Sequence, residues 1–320
     1  YLFENEGKGN FRDVTTRISK EFQEAGNIKD FVWVDVDNNG FKDLIVVGQW
    51  MPVSVFYNDG KRLTKQGNDG LDMTNGWWNT VAAEDFDNDG DIDFMVGNWG
   101  DNSKFKASKE KPITLYRYDY DDNGTVEPLV SYFHGDRETP FASKEELTKQ
   151  MPYLNKNFLS FKSFAKASMD DLFSAEKLKA ADKKQVNILR SSYFENLGNG
   201  QFKRIDLPTM AQSSKVNDML VDDFNKDGFK DVLLVGNDYE ISTHLGRMDA
   251  MHGIILLNDK KGGFAWAAHQ NFDIPGPART VKKIRIGDKP NLIIGINNGT
   301  PLLLGDEKTA DSLMLEAIKN

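Results

Sequence analysis

An all-β fold, a β-propeller of four-stranded blades with a helical insertion, is predicted by three observations. Four acidic loops share one pattern, a short apolar run follows three of them, and a second Asn/Gly motif alternates with the loops. The loops are Asp35-x-Asp37-x-Asn39-Gly40-x-x-Asp43, Asp85-x-Asp87-x-Asp89-Gly90-x-x-Asp93, Asp119-x-Asp121-x-Asn123-Gly124-x-x-Glu127 and Asp223-x-Asn225-x-Asp227-Gly228-x-x-Asp231. Each offers oxygen side chains at positions 1, 3, 5 and 9 around a Gly at position 6. A hard cation such as calcium takes six to eight oxygens at roughly 2.3–2.6 Å, and Gly permits the sharp turn that aims them inward. Without a cation such a row of carboxylates repels itself.

The flanks exclude an EF-hand, which needs a Glu at position 12 and a helix on either side. Position 12 here is Val46, Val96, Val130 and Leu234. Leu44–Gly48, Phe94–Gly97 and Val232–Gly236 are β-branched or apolar runs closed by Gly, which read as buried strands. Phe31–Val34, Thr80–Ala83 and Val216–Val221 read as the strands that enter the loops.

The second motif occurs at Tyr1–Phe11, Val55–Gly60, Tyr193–Phe202 and Ile255–Phe264. Each is a strand, an Asn/Gly turn and a returning strand. These glycines set turn geometry. A phosphate cradle would need a Gly-Lys-Ser/Thr or a strand–loop–helix context that they lack. Alternation of the two motifs gives four-stranded units of roughly 40–60 residues, the blades of a propeller. The first spans about 29–66 and the second begins near 79. A third uses the Asp119 loop and ends near 206, and a fourth spans about 215–269. A fifth, about 279–305, has only Gly287-Asp288-Lys289 where a loop would stand. Ile113–Tyr116 fits either the outer strand of the second unit or the first strand of the third. The propeller domain is thus 1–305, with 306–320 a C-terminal tail, and Tyr1–Phe11 is a candidate to complete the last blade.

Residues of about 136–190 break the pattern and are expected to be helical. Ser143-Lys-Glu-Glu146 reads as a capping box and Ser168-Met-Asp-Asp171 as a second helix start. Phe158, Phe161 and Phe164 form a stripe expected to pack on the propeller.

The chain has 320 residues, no cysteine and a formal charge of −9. Disulfides and thiolate metal sites are excluded. Four divalent ions would nearly cancel the charge, so the acidity reads as cation sites. No basic stripe suggests nucleic acid, and no run of about 18 apolar residues spans a bilayer. The chain begins at Tyr1 without a signal peptide and is expected to be a fragment of a longer polypeptide.

The loops with their apolar strand and Gly resemble FG-GAP repeats, also called VCBS repeats, which bind calcium in integrin α-chain propellers and bacterial surface proteins. Gly48–Pro52, Gly76–Asn79, Gly97–Ala107 and Gly246–Ala250 resemble a Bacteroidota group of large secreted or lipid-anchored proteins that carry an upstream ASPIC/UnbV-type segment. The resemblance implies side-chain ligands at positions 1, 3, 5 and 9 of all four loops. It adds the main-chain carbonyls of Phe41, Asp91, Thr125 and Phe229. Glu127 departs from the usual Asp. About four calcium ions are expected, in a structural role, since every ligand slot lies in one hairpin. Extracellular modules bind calcium at roughly 10⁻⁴–10⁻³ M. The expected location is therefore extracellular, the cell surface (outer-membrane-anchored through a missing N-terminal region) or the periplasm.

For function, the leading expectation is a non-enzymatic module for a protein or surface glycan. Trp50, Trp77, Trp78 and Trp99 lie at strand ends or in loops that can share one face, and indole suits stacking on sugar rings. Trp33 is expected to pack between blades. The alternative is a carbohydrate-active enzyme, a polysaccharide lyase or hydrolase. Of His134, His244, His252 and His269, the pair His244 and His252 share one connection with Arg247 and Asp249, which offers an acid/base site. No Gly-x-Ser-x-Gly elbow or Cys nucleophile occurs.

Overall fold

The computed structural model describes residues 1–67 and 70–305, and in it every acidic loop joins two antiparallel strands. The expected tail at 306–320 lies outside the described residues. The fold is mostly β, in several antiparallel sheets.

In chain order, β1 (Phe3–Gly7) and β2 (Asn10–Asp13) form a two-stranded sheet that, among the described residues, pairs with no other strand, and α1 (Thr15–Ile18) follows. The first large sheet runs β3 (Asn27–Val34), β4 (Asp43–Met51), β5 (Ser54–Asn58) and β6 (Leu63–Lys65), with β7 (Gly76–Trp77) on the far end of β4. The second sheet begins with β8 (Thr80–Glu84) and β9 (Asp93–Gly97). The chain then departs through β10 (Ile113–Tyr118), β11 (Glu127–His134) and β12 (Arg137–Pro140). Next come α2 (Lys144–Gln150), α3 (Leu154–Asn157), α4 (Phe161–Phe164), α5 (Met169–Leu172), α6 (Ala175–Ala180) and β13 (Asp182–Val186). It returns to the second sheet with β14 (Ser192–Asn196) and β15 (Phe202–Asp206). The third sheet is β16 (Val216–Asp222), β17 (Asp231–Gly236), β18 (Ile254–Asn258) and β19 (Phe264–Asn271). The last, of three strands, is β20 (Ala278–Ile286), β21 (Lys289–Ile296) and β22 (Leu302–Leu304).

Two compact units result: Tyr1–Ser103 together with the described residues from Leu189 on, and Lys104–Ile188. In the first unit, β4, β9 and β17 are buried along nearly their whole length, as their apolar runs predict. The first strands of successive sheets lie side by side, β3 against β8, β8 against β16 and β16 against β20. One core fills the space between the second and third sheets around Phe86, Met95, Tyr193 and Leu234. Another lies between the third and fourth around Leu233, Ile255, Val281 and Ile294. At two sheet boundaries a carboxylate sets the register. Asp30 Oδ2 accepts from Thr80 Oγ1 at 2.9 Å and the Val81 N–H at 3.0 Å. Asp218 Oδ2 likewise accepts from Thr280 Oγ1 at 2.7 Å and the Val281 N–H at 2.9 Å. Both aspartates sit where the ladder slips by one residue, which turns their side chains toward the next sheet.

The second unit is a sheet of order β12-β11-β10-β13 with the five helices between β12 and β13. The Ser143–Glu146 capping box forms, as does that of Ser168 and Asp171. The unit has its own core, around Tyr120, Met151, Leu172 and Phe173.

Three expectations are corrected and one is narrowed. The Tyr193–Phe202 hairpin does not close a third blade. Its β14 pairs with β9, and Phe194 stacks on Phe94 with ring centroids 4.9 Å apart, so it completes the second sheet. Ile113–Tyr116 is not an outer strand of that sheet but, as the other alternative had it, the strand that enters the Asp119 loop; it lies centrally in the unit Lys104–Ile188, and the helices expected within about 136–190 run from Lys144 to Ala180 in that unit. The Phe stripe divides: Phe158 and Phe164 pack on the inserted unit's core while Phe161 is 63% exposed. Trp33 is 39% exposed, because it lies on the outward face of β3 with Phe31. In addition, β1 and β2 join no strand of the last sheet.

Candidate functional site

The four loops fold alike, from the backbone outward. Position 4 (Asn38, Asn88, Asp122 and Lys226) takes a left-handed φ of 58–61°, and the following Gly at position 6 takes 87–96°. Two left-handed residues in three curl the chain so that successive N–H groups point inward at the carboxylate of position 1. Asp35 accepts from the N–H groups of Asn39 at 3.1 Å and Gly40 at 2.8 Å. Asp85 holds Asp89 and Gly90, Asp119 holds Asn123 and Gly124, and Asp223 holds Asp227 and Gly228 in the same manner. Position 5 then accepts from the N–H of position 7, whose carbonyl is the expected main-chain ligand: Asn39 from Phe41, Asp89 from Asp91, Asn123 from Thr125 and Asp227 from Phe229.

The acidic side chains converge in three loops. Carboxylate oxygens of Asp35, Asp37 and Asp43 all lie within 4.8 Å of one another, as do those of Asp85, Asp87 and Asp89, and of Asp119, Asp121 and Glu127. Oxygens on one calcium ion stand at most about 5 Å apart, so each group fits a single ion. In the third loop, Asp121 Oδ1 is buried with no hydrogen-bond partner, an acceptor that a bound cation would satisfy. Electrostatics agree. Burial, then the charges of Asp89 and Asp85, push the Asp87 carboxyl above its usual range. Burial pushes Asp93 up to about 6 although Tyr193 and backbone N–H groups hold its charged form. Burial also raises Asp43 and Asp231.

The fourth loop differs. Among the described residues, Asp223, Asp227 and Asp231 form no such group of three. Lys260 Nζ lies 3.1 Å from Asp227 Oδ2. Burial works against the Asp227 charge, but the Phe229 N–H, Lys260 and Asn225 hold the carboxyl below its usual range. A lysine thus supplies part of the positive charge that the second loop lacks.

Two features of these sites were not visible as ligand motifs. At position 2, Val36, Phe86, Tyr120 and Phe224 turn inward and are buried. Phe86 meets Tyr193 and Phe264 edge-on at 5.8 and 5.5 Å. At position 9 the carboxylate is gripped by the second repeated motif. Asp43, Asp93 and Asp231 each accept the N–H of position 2 and the N–H of a turn asparagine: Asn58 at 2.6 Å, Asn196 at 2.7 Å and Asn258 at 2.8 Å. The recurrence of Asn at those turns was the available signal.

The opposite ends of the same strands carry another constellation. Trp50 is the extra residue where β4 slips past β7, and it has a φ of 62°. Left-handed backbone is rare for a bulky residue. Its ring meets Trp77 edge-on at 5.3 Å, and Trp77 meets Trp99 at 5.2 Å. Asn98 Oδ1 accepts the N–H groups of both Trp77 and Trp99. Lys215 Nζ stands 6.0 Å from the Trp99 ring and 2.7 Å from Asp238 Oδ2, and Arg279 is 3.5 Å from Asp238 Oδ1. Lys215 and Asp238 are buried. Burial opposes the Asp238 charge, but Lys215 outweighs it and the carboxyl lies below its usual range. Trp77 is buried, and Trp50 and Trp99 are half-buried. Trp78 is fully buried, donates to the Thr74 carbonyl and is a packing residue.

The histidine pair gains little from the fold. His244 and His252 are exposed, and His252 faces an exposed Asp273 at 3.8 Å. Arg247 lies over the Tyr239 ring at 4.2 Å.

No curated protein matches the chain. A family model described as an FG-GAP-like repeat matches residues 35–96, the span that holds the first two loops and the strands that follow them, and there the chain is similar to that repeat family.

Proposed function

We propose that this chain is a calcium-stabilised β-propeller that works as a glycan-binding module outside the cell. The observation that carries the binding role is the row Trp50–Trp77–Trp99, which continues into Lys215, Asp238 and Arg279 along the sheet ends away from the loops. Indoles give flat apolar faces for sugar rings, and a buried charged pair with an arginine beside it suits a hydroxyl or acidic group. A bulky residue held in left-handed backbone, as Trp50 is, suits a position retained for more than packing.

The blades are the first three large sheets and the three-stranded last sheet, with their first strands adjacent and the Lys104–Ile188 unit inserted between the second and third strands of the second blade. In the loops, calcium would be held by positions 1, 3, 5 and 9 and the position 7 carbonyl, where it neutralises carboxylates that burial and mutual repulsion otherwise destabilise. FG-GAP-like repeats are typical of extracellular proteins, which supports that location. For the enzyme alternative, His134, His244 and His252 are exposed.

A glycan array in calcium buffer tests the proposal. Binding to neutral or acidic oligosaccharides that is lost in both Trp50→Ala and Trp99→Ala supports it. No binding, or binding indifferent to both substitutions, rejects the tryptophan row. New reducing ends or unsaturated uronates on incubation would favour the enzyme.

A further inference from the structure

The Lys104–Ile188 unit contains a cleft of about 450 Å³ lined from β11, β12, α2 and α4. Its walls carry His134, Arg137 and Lys144 together with Tyr132, Phe161 and Phe164, and no aspartate or glutamate. The cations are held by neutral groups. Arg137 donates to the main-chain carbonyls of Lys166 at 2.7 Å and Ala165 at 3.3 Å, and its Nε is buried with no hydrogen-bond partner. Asp171 feels the Arg137 charge, but its carboxylate caps α5 through Ser168. Lys144 donates to Asn155 Oδ1 at 2.7 Å and lies 5.6 Å from the centre of the Phe161 ring. Phe161, 63% exposed, leaves an aromatic face in water beside that ammonium.

Positive charge with no carboxylate in the cleft wall, next to an exposed ring, is a half-built contact. An anion would complete it through charge-assisted hydrogen bonds, and an apolar ring on the same ligand would cover Phe161. Ligand pockets run from roughly 300 to 1,000 Å³, so the volume suits one ring-bearing small molecule. We propose that this cleft binds a small carboxylate with an apolar ring face, the size of a single uronic acid or an aromatic acid. The carboxylate meets Lys144 and the Arg137 side of the cleft, and the ring lies on Phe161. This site is independent of the tryptophan row, since every residue that forms it belongs to the inserted unit.

Isothermal titration of the full chain in calcium buffer with glucuronate, benzoate, glucose and benzyl alcohol decides it. The expected result is saturable binding of at least one acid and of neither uncharged analogue, and the acid that binds identifies the source. Loss of the charge or of the ring should each weaken binding by about tenfold, so Lys144→Ala and Phe161→Ala are expected to do so. Both residues are at the surface of the cleft, and an unchanged near-ultraviolet circular dichroism spectrum verifies their fold. Equal binding of charged and uncharged ligands, no saturable binding of either acid, or unchanged affinity in both variants overturns the proposal.

Discussion

Asn196 donates its side-chain Nδ2–H to the carbonyl of Val36, 3.0 Å away in the first loop, while its backbone N–H holds Asp93 in the second loop at 2.7 Å. One turn residue therefore ties its own sheet's loop to the loop of the preceding sheet. Asn258 repeats the arrangement one sheet later, with Phe86 O at 2.7 Å and Asp231 Oδ1 at 2.8 Å. The two sequence repeats are two halves of one device, because the Asn turn positions the ninth residue of the acidic loop.

Replacing that clamp should weaken fold and metal site together. In Asn196→Ala the backbone N–H remains, but the carbonyls of Val36 and Ile92 lose their donor. Buried groups left unsatisfied cost about 1–3 kcal/mol. Urea unfolding in calcium should show a loss in that range, and calcium titration a weaker second site. Unchanged stability would mean that water replaces the amide.

Phe86→Ala should cost more, about 3–5 kcal/mol by cavity formation, since the ring is buried between Tyr193 and Phe264. Urea midpoints measure it. A loss below about 1 kcal/mol would show that the neighbouring sheets close the cavity.

The buried pair of Lys215 and Asp238 predicts an acid response. Asp238 is held below its ordinary value in the folded chain, so its contribution is present above the unfolded carboxylate value and is lost as pH falls through the folded one. Stability should therefore decline as pH drops below about 4, and part of that slope should vanish in Asp238→Asn. The same substitution leaves Lys215 buried without its counter-charge and should cost about 3–5 kcal/mol at neutral pH. Chemical denaturation from acid to neutral pH measures both effects, and an unaltered slope in the variant would contradict the assignment.

Lys260 sets the fourth loop apart. Lys260→Met removes the ammonium beside Asp227 and should raise calcium affinity at that loop, whereas Asp87→Ala should remove the ion of the second loop. Calcium titrations of the two variants check this. Equal affinity at the fourth loop with and without Lys260 would show that the lysine yields freely to the ion.

Much of this was legible in the sequence because spacing encodes it. Positions 1, 3, 5, 6 and 9 fix the loop, and the apolar runs behind Asp43, Asp93 and Asp231 fix the buried strands. Pairing partners were not legible. β14 could join any free edge, and its ladder with β9, the stacking of Phe194 on Phe94 and the Asn196 hold on Asp93 place it in the second sheet, across an insertion that local pattern cannot measure. Four tryptophans were visible as residues that could share a face, of which Trp78 instead packs inside. The continuation of the other three into Lys215, Asp238 and Arg279 joins positions far apart in the chain, and single-residue chemistry says nothing about that contact. The cleft beside Arg137 was hidden for a related reason, since Phe161 shares its helical spacing with two core residues yet faces water.

The direct test of the account is a count of bound calcium by native mass spectrometry, paired with melting curves in calcium and in excess chelator. The expected result is three readily retained ions and a weaker fourth, with a melting temperature that falls markedly on chelation. A chain that retains no calcium at millimolar concentration, or melts identically with and without chelator, would contradict it.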